Sequence, residues 1–243
     1  AAKLRRAQDA IVQLRPYADK LNEIQASVCA ALRDTETENI YAQRKKGNGK
    51  VLIVVVTSNK GLCGAFNANV LRETRRIMDE RYSQENSRGD LGVMTVGKKA
   101  NDALRKLKCN IIEDQSDLYT ELTFDRISAL ADKLMRLYVS KEYDTIEIVY
   151  NQFKNAAVQK LTNEVFLPVT MGTISGQDSA PADYIYEPDQ VRIISELIPK
   201  TLRIKLYRSL LDSFAAEHGA RMTAMHQATD NATELIRDLT LQY

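Results

Sequence analysis

A long amphipathic helix at the end of the chain limits what the rest can fold into. Residues 200–243 read as one uninterrupted helix, in which Leu211, Phe214, His218, Met222, Met225, Thr229, Ala232, Ile236, Leu239 and Tyr243 recur at steps of three and four. That rhythm draws a narrow stripe of mostly uncharged side chains down one side. At 1.5 Å per residue the segment is about 60 Å long, beyond the diameter of a small domain, so much of it is expected to project from a globular body. Only another long helix is expected to cover the stripe.

The complementary stripe lies at the opposite end of the chain. Ala7, Ile11, Leu14, Ala18, Leu21, Val28 and Leu32 repeat with the same rhythm, interrupted at Gln25, whose place Ile24 partly fills. Two seams separated by a whole domain predict an antiparallel pair. Ala7, Ala18, Ala228 and Ala232 are expected to permit close approach, and Met222 and Met225 to fill irregular gaps. Pro16 sits inside the first helix, where a missing backbone donor costs about 3 kcal/mol, so a bend is expected there. Neither end of the chain carries a helix cap or a Gly stop, and the chain lacks an initial Met, which predicts that both ends are trimmed.

Between the arms, 243 residues leave room for a core of about 150. With 34 basic against 32 acidic residues the net charge is +2, which supplies no general electrostatic attraction for nucleic acid or anionic lipid. The longest apolar run, Val51–Val56, is too short to cross a bilayer and no signal-peptide pattern precedes it, so the chain is expected to be soluble, or peripheral to a membrane only through a complex. Cys29, Cys63 and Cys109 are odd in number and form no CxxC pair, which fits free thiols in a reducing compartment.

Val51–Val56 is a β-branched run of the kind buried on both faces of a parallel sheet. A loop over 57–66, a helix over 67–82, a strand Leu91–Val96, a helix Lys98–Lys106, a short strand over 109–112, a helix Phe124–Val139 and a strand over 145–150 follow. Residues 157–170 alternate as an edge strand, antiparallel to its neighbour. Residues 172–183 form a polar excursion, 184–186 a short strand, and 189–197 a short helix that Pro199 separates from the long one. The polar stretches 34–39 and 44–49 read as loops, the second being either a solvated connection or a basic binding patch. The fold class is α/β: a long antiparallel coiled coil of the N- and C-terminal helices plus a Rossmann-like α/β domain with a mostly parallel sheet. The divisions fall at 1–46, 47–187 and 188–243.

Residues 58–67, Ser-Asn-Lys-Gly-Leu-Cys-Gly-Ala-Phe-Asn, follow the first strand where doubly wound folds bind phosphates. Gly61 and Gly64 lack the spacing of a dinucleotide fingerprint, and Lys60 precedes the glycines where a P-loop has it after them. A tight turn is the expected role, with nucleotide binding as the alternative. Gly92 to Lys98 satisfies G-x-x-x-x-G-K, but its four middle residues are strand formers, which a phosphate-cradling loop cannot be. His218 and His226 lie eight residues apart, outside any H-E-x-x-H pair, and are expected to face the stalk. No G-x-S-x-G elbow or Cys-His pair is apparent, so no catalytic, cofactor or metal residue is expected.

These residues also carry a family likeness. Thr57 through Asn67 resembles the T-S-[DN]-[RK]-G-L-C-G-x-[FL]-N segment of the gamma subunit of F-type ATP synthases, and Tyr184-Ile185-Tyr186-Glu187-Pro188-Asp189 resembles its Y-I-[FY]-E-P-[DS] turn. Glu217 through Met225, continuing to Thr240, is similar to that family's C-terminal signature; Ala2 to Gln8 and Arg15-Pro16-Tyr17 agree as well. The resemblance implies a non-catalytic rotor shaft, without cofactor, that transmits torque between a membrane c ring and a hexamer of alpha and beta subunits, with epsilon at the foot. It implies no nucleic-acid partner and a place in a membrane-associated complex, at the cytoplasmic face of a bacterial inner membrane, with the mitochondrial matrix side as the alternative. By motif position it puts partner contacts at Tyr184, Tyr186 and Glu187 for the foot and at Arg221 and Met225 for the shaft. Gly219 stands where the family more often has Ala, at about 1 kcal/mol of helix propensity. The alternatives are a nucleotide-binding α/β enzyme with a helical dimerisation arm, and a coiled-coil scaffold for unrelated partners.

Overall fold

The run Val51–Val56 becomes β1, and all six of its side chains are buried. The computed structural model describes residues 2–31, 40–42, 49–169 and 190–242. Around β1 stand β2 (Leu91–Val96), β3 (Ile111–Asp114), β4 (Thr145–Phe153) and β5 (Gln159–Leu167), in the order β3-β2-β1-β4-β5. β1 pairs in parallel with β2 and β4, and β2 with β3; only β5 is antiparallel, against β4. The sheet is thus mostly parallel with one antiparallel edge, as the alternation of 157–170 predicts.

The period of two in β1 sorts its side chains between two cores. Leu52, Val54 and Val56 face α5 (Phe124–Val139) and the C-terminal helix α6 (Gln190–Gln242). Val51, Ile53 and Val55 face the opposite layer, made by α2 (Phe66–Arg76) and α4 (Lys98–Lys106). Between them in sequence, a π-helical turn (Ile77–Arg81) and α3 (Ser83–Arg88) follow α2, where the sequence predicts one helix over 67–82. The π turn re-aims Arg81 and Tyr82 toward the sheet. Buried Glu147 on β4 accepts hydrogen bonds there from Arg81, from Tyr82 and from Asn163 on β5.

The two chain ends pair antiparallel. In α1 (Ala2–Ala31), Leu4, Ala7 and Ile11 pack with Leu211, Ala215 and Ala216, while Ala18 and Leu21 pack with Ile204. The helix runs unbroken through exposed Pro16.

Two expectations need correction. The predicted short helix over 189–197 and the long one are a single helix of 53 residues with Pro199 inside it. Ile198 and Leu202 are buried against the sheet on either side of the proline. Burial of two such side chains contributes about 1.5–3 kcal/mol each, which offsets the roughly 3 kcal/mol an interior proline costs. Nor is α6 covered by a helix alone: Ile198, Leu202, Leu206 and Leu210 belong to the sheet core, and only the face carrying Ile204, Leu211 and Ala215 meets α1. Beyond that double embrace no described residue covers the predicted seam. Every residue from Met225 to Leu241 is exposed, so Ala228 and Ala232 make no close approach to α1. The loops 34–39 and 44–48 and the segments 172–183 and 184–189 lie outside the described residues, as do the side chains of Ile24, Gln25, Val28 and Leu32.

Candidate partner-binding site

The loop between β1 and α2 is held by its own polar side chains. The Ser58 N–H donates to Asn67 Oδ1 at 3.0 Å, the Ser58 hydroxyl to the Lys60 carbonyl at 2.5 Å, and Asn67 Nδ2 to Cys63 Sγ at 3.2 Å. Gly64 has φ +56°, which an L side chain resists, so the glycine answers a backbone need. Leu62 has φ +60° without that excuse, and it is 82% exposed. A non-glycine residue in the left-handed region costs about 1 kcal/mol, which the hydrogen bonds around it offset. The sequence reading missed Leu62, because nothing in its neighbours announces a positive φ.

The same loop also reaches the start of α4, the helix that follows β2. The first N–H groups of α4 all point at acceptors from 57–59: Lys98 N–H at Asn59 Oδ1 (2.9 Å), Lys99 N–H at the Ser58 carbonyl (3.1 Å) and Ala100 N–H at Thr57 Oγ1 (2.8 Å). Gly97, at φ +114°, permits the approach, since a Cβ there would collide with the Thr57 carbonyl. The positive end of this helix is already occupied by the chain itself. Val93 to Val96, the middle of the G-x-x-x-x-G-K match, are all within β2, as their composition predicts.

A second polar contact ties this loop to α6. Arg221 Nη2 donates to the Gly61 carbonyl at 3.2 Å and to the Lys60 carbonyl at 3.3 Å, while its Nη1 pairs with Glu217 one turn back. On the other side of the helix, the β4–β5 hairpin lays Ala156 against Gly219, and Thr223 Oγ1 donates to the Ala156 carbonyl at 3.3 Å. Below this level Tyr119 is buried against Phe214, with ring centroids 5.7 Å apart, and burial together with the nearby Glu217 carboxylate pushes its phenol well above the usual value.

Of the five residues the sequence nominates, the structure places Arg221 and Met225 one turn apart at the level where α6 leaves the body. Met225 is 53% exposed, whereas Arg221 spends its donors inside the chain. With Leu4, His218, Met222, His226 and Thr229 they line a cleft of about 350 Å³. His218 stacks edge-on against Phe214 at 4.4 Å, and His226 is exposed. Among the described residues no group of three or more His, Cys, Asp or Glu could hold a metal. Tyr184, Tyr186 and Glu187 lie outside the described residues.

A family model described as ATP synthase matches residues 1–243. The chain is 45% identical over 243 residues to the ATP synthase gamma chain of Christiangramia forsetii, covering all of this chain and 82% of that one. The chain belongs to the ATP synthase gamma-chain family. The gamma chain of Flavobacterium psychrophilum is 46% identical over the same shares. In fold, the chain is similar to a chain of the Tetrahymena thermophila mitochondrial ATP synthase central stalk and c-ring, at TM-score 0.55 and 22% identity, covering 90% of this chain and 99% of that one. A chain of the Euglena gracilis mitochondrial ATP synthase rotor gives TM-score 0.55 at 19% identity, covering 98% and 96%. Among the described residues of this family member, no helix is long and apolar enough to cross a membrane.

Proposed function

We propose that this chain is the central rotor shaft of an F-type ATP synthase, a subunit that carries torque and performs no bond chemistry. One observation carries the reading: α6 is built into the sheet core over its first half and stands exposed from Met225 to Leu241. A helix rooted in that way transmits rotation of its base to its free end. An asymmetric shaft turning inside a threefold ring of alpha and beta subunits meets each catalytic site with a different face and biases its affinity for nucleotide. The divisions 1–46, 47–187 and 188–243 enter this reading as stalk, body and stalk.

The partners proposed are alpha and beta subunits at the shaft, and the c-ring and epsilon at the foot. The membrane is met only through the complex, at the cytoplasmic face of a bacterial inner membrane. Met225 and the exposed tip Leu62 are the shaft-side contacts this geometry favours, with Arg221 acting through the loop it holds. Tyr184, Tyr186 and Glu187 are proposed as foot contacts on motif position alone; charge reversal at Glu187 that leaves proton flow coupled to synthesis overturns that assignment. The alternative of a nucleotide-binding enzyme is disfavoured by the spacing of Gly61 and Gly64 and by Lys60 preceding them, which fit neither a dinucleotide fingerprint nor a P-loop.

Mixing the chain with alpha and beta subunits tests the reading. One copy per hexamer on size exclusion, with a gain in ATP hydrolysis, is the expected result. Binding of nucleotide by the chain alone, without assembly, would overturn it.

A further inference from the structure

We infer that a row of polar side chains on α6, Lys205, Ser209, Ser213, Glu217 and Arg221, keys this helix to the body in a single register. They are positioning residues: on the shaft reading above, which the inference rests on, they make α6 turn with its base instead of slipping within it.

The five residues recur at steps of four where α6 packs on the body. Ser209, Ser213 and Glu217 are buried, and Lys205 and Arg221 half-buried. Each step advances about 40° around the helix, so the row winds through about 160° and meets different parts of the body along its length. Lys205 Nζ donates to the Val165 carbonyl on β5 at 2.7 Å, and the Ser209 hydroxyl to Glu164 of the same strand at 2.9 Å. Ser213 and Glu217 lie beside the Tyr119 phenol, and Arg221 holds the Lys60 and Gly61 carbonyls.

The apolar row beside it has no such power of selection. Ile198, Leu202, Leu206 and Leu210 also recur at steps of four and face the sheet core. Apolar contact is non-directional, and a slide of four residues, about 6 Å, lays leucine on leucine. The same slide carries Glu217 into the place of Arg221 and sets a carboxylate against the Lys60 and Gly61 carbonyl oxygens. Neither side then has a proton to donate, so the slipped register is penalised. A buried polar row carries a desolvation cost that leucine would not, and it selects one arrangement among several that the apolar row allows.

Two arms separate this inference from the shaft reading. The first uses the full chain with isotope-labelled leucine methyl groups, followed by nuclear magnetic resonance and urea titration. A five-site variant, Glu164→Leu, Lys205→Met, Ser209→Ala, Glu217→Met and Arg221→Met, makes the row and its acidic partner apolar together, so that no buried charge is orphaned. The methyl peaks of Leu206 and Leu210, one set in the parent, are expected to split into two or more sets, while the urea midpoint stays above that of Leu206→Ala. Leu206→Ala, a lesion in the apolar row, is expected to lower the midpoint and leave Leu210 in one set. The exchange variant Glu217→Arg with Arg221→Glu keeps the ion pair within the helix and is also expected to split the peaks, since it turns a carboxylate toward the two carbonyls. A single set in the five-site variant, or in the exchange variant should the former not fold, overturns the keying. Splitting in Leu206→Ala would overturn it too, because any core lesion would then loosen the register.

In the second arm, the complex reconstituted into vesicles is measured for protons pumped per ATP hydrolysed. The five-site variant is expected to lower that ratio roughly threefold, and Leu206→Ala to leave it unchanged. A parental ratio in the five-site variant overturns the positioning role. Failure of the unaltered chain to support pumping counts against the shaft reading, and the methyl spectra then decide the keying alone.

Discussion

The carboxylate of Glu147 on β4 meets the guanidinium of Arg81, with Nη1 3.0 Å from one oxygen and 3.1 Å from the other. The glutamate side chain is 2% exposed and the arginine 50%, so one partner is buried and the other bridges to solvent. Tyr82 and Asn163 complete the shell at 2.5 and 2.9 Å.

Removing one donor from a buried carboxylate costs more than the bond itself, because the remaining charge keeps its desolvation penalty. Arg81→Ala is expected to lower unfolding free energy by about 2 kcal/mol, read from the urea midpoint at neutral pH. Tyr82→Phe should cost about 1–2 kcal/mol on the same scale. An Arg81→Ala midpoint equal to the parent's would show the pair to be energetically idle.

Gly97 is the residue on which the self-filled helix start depends. Gly97→Ala forces a Cβ into the Thr57 carbonyl at a φ that L residues avoid, and should destabilise by about 3 kcal/mol or more. Loss of amide protection at Lys98, Lys99 and Ala100 would accompany it. Wild-type stability in this variant would mean that the 57–59 segment is free to move aside.

Leu62 separates stability from contact. Leu62→Asn keeps a residue that tolerates the left-handed region and removes an exposed apolar tip, so thermal stability should stay within about 0.5 kcal/mol of the parent. Affinity for the alpha–beta hexamer should fall by about tenfold, measured by titration into the assembled ring. Unchanged affinity would remove Leu62 from the contact surface.

Alkaline pH should unfold the chain through its buried phenols. Burial raises Tyr119 and Tyr150 above their ordinary 10.0, with the nearby Glu217 and Glu164 carboxylates adding to the effect. The folded state holds both protons while the unfolded chain releases them. Their stabilising contribution is therefore complete below pH 10 and is lost as pH rises toward the folded values, at up to about 1.4 kcal/mol per pH unit for each. Urea titrations on either side of pH 10 should show this fall, and Tyr119→Phe should flatten it. A slope identical in parent and variant would refute the assignment.

Much of the fold is legible in local pattern. β1, β2, α4 and α5 begin and end where their sequence predicts, because each has a strong period bounded by a turn or cap. The pairing of the chain ends is legible too, since Ala7, Ile11, Ala18 and Leu21 share one helical face and need a partner of equal length. The candidate site is less so. Arg221 and Met225 are nominated only by the resemblance, and the hold of Arg221 on Gly61 joins residues far apart in the chain.

By itself, then, the amino-acid order determined which segments are helix and strand, that the sheet is mainly parallel, and that two long arms pair. Those properties follow from periodicity over a few turns, which neighbours in the chain set among themselves. Only the tertiary structure decided that α6 runs through Pro199, that its first half is sheet core, and that Thr57, Ser58 and Asn59 fill the start of α4. It also supplied the reason for Gly219, which in the helix alone is a loss and against Ala156 is a requirement of space. Each of these outcomes sets a local cost against burial or contact with residues distant in sequence, and that balance has no local signature.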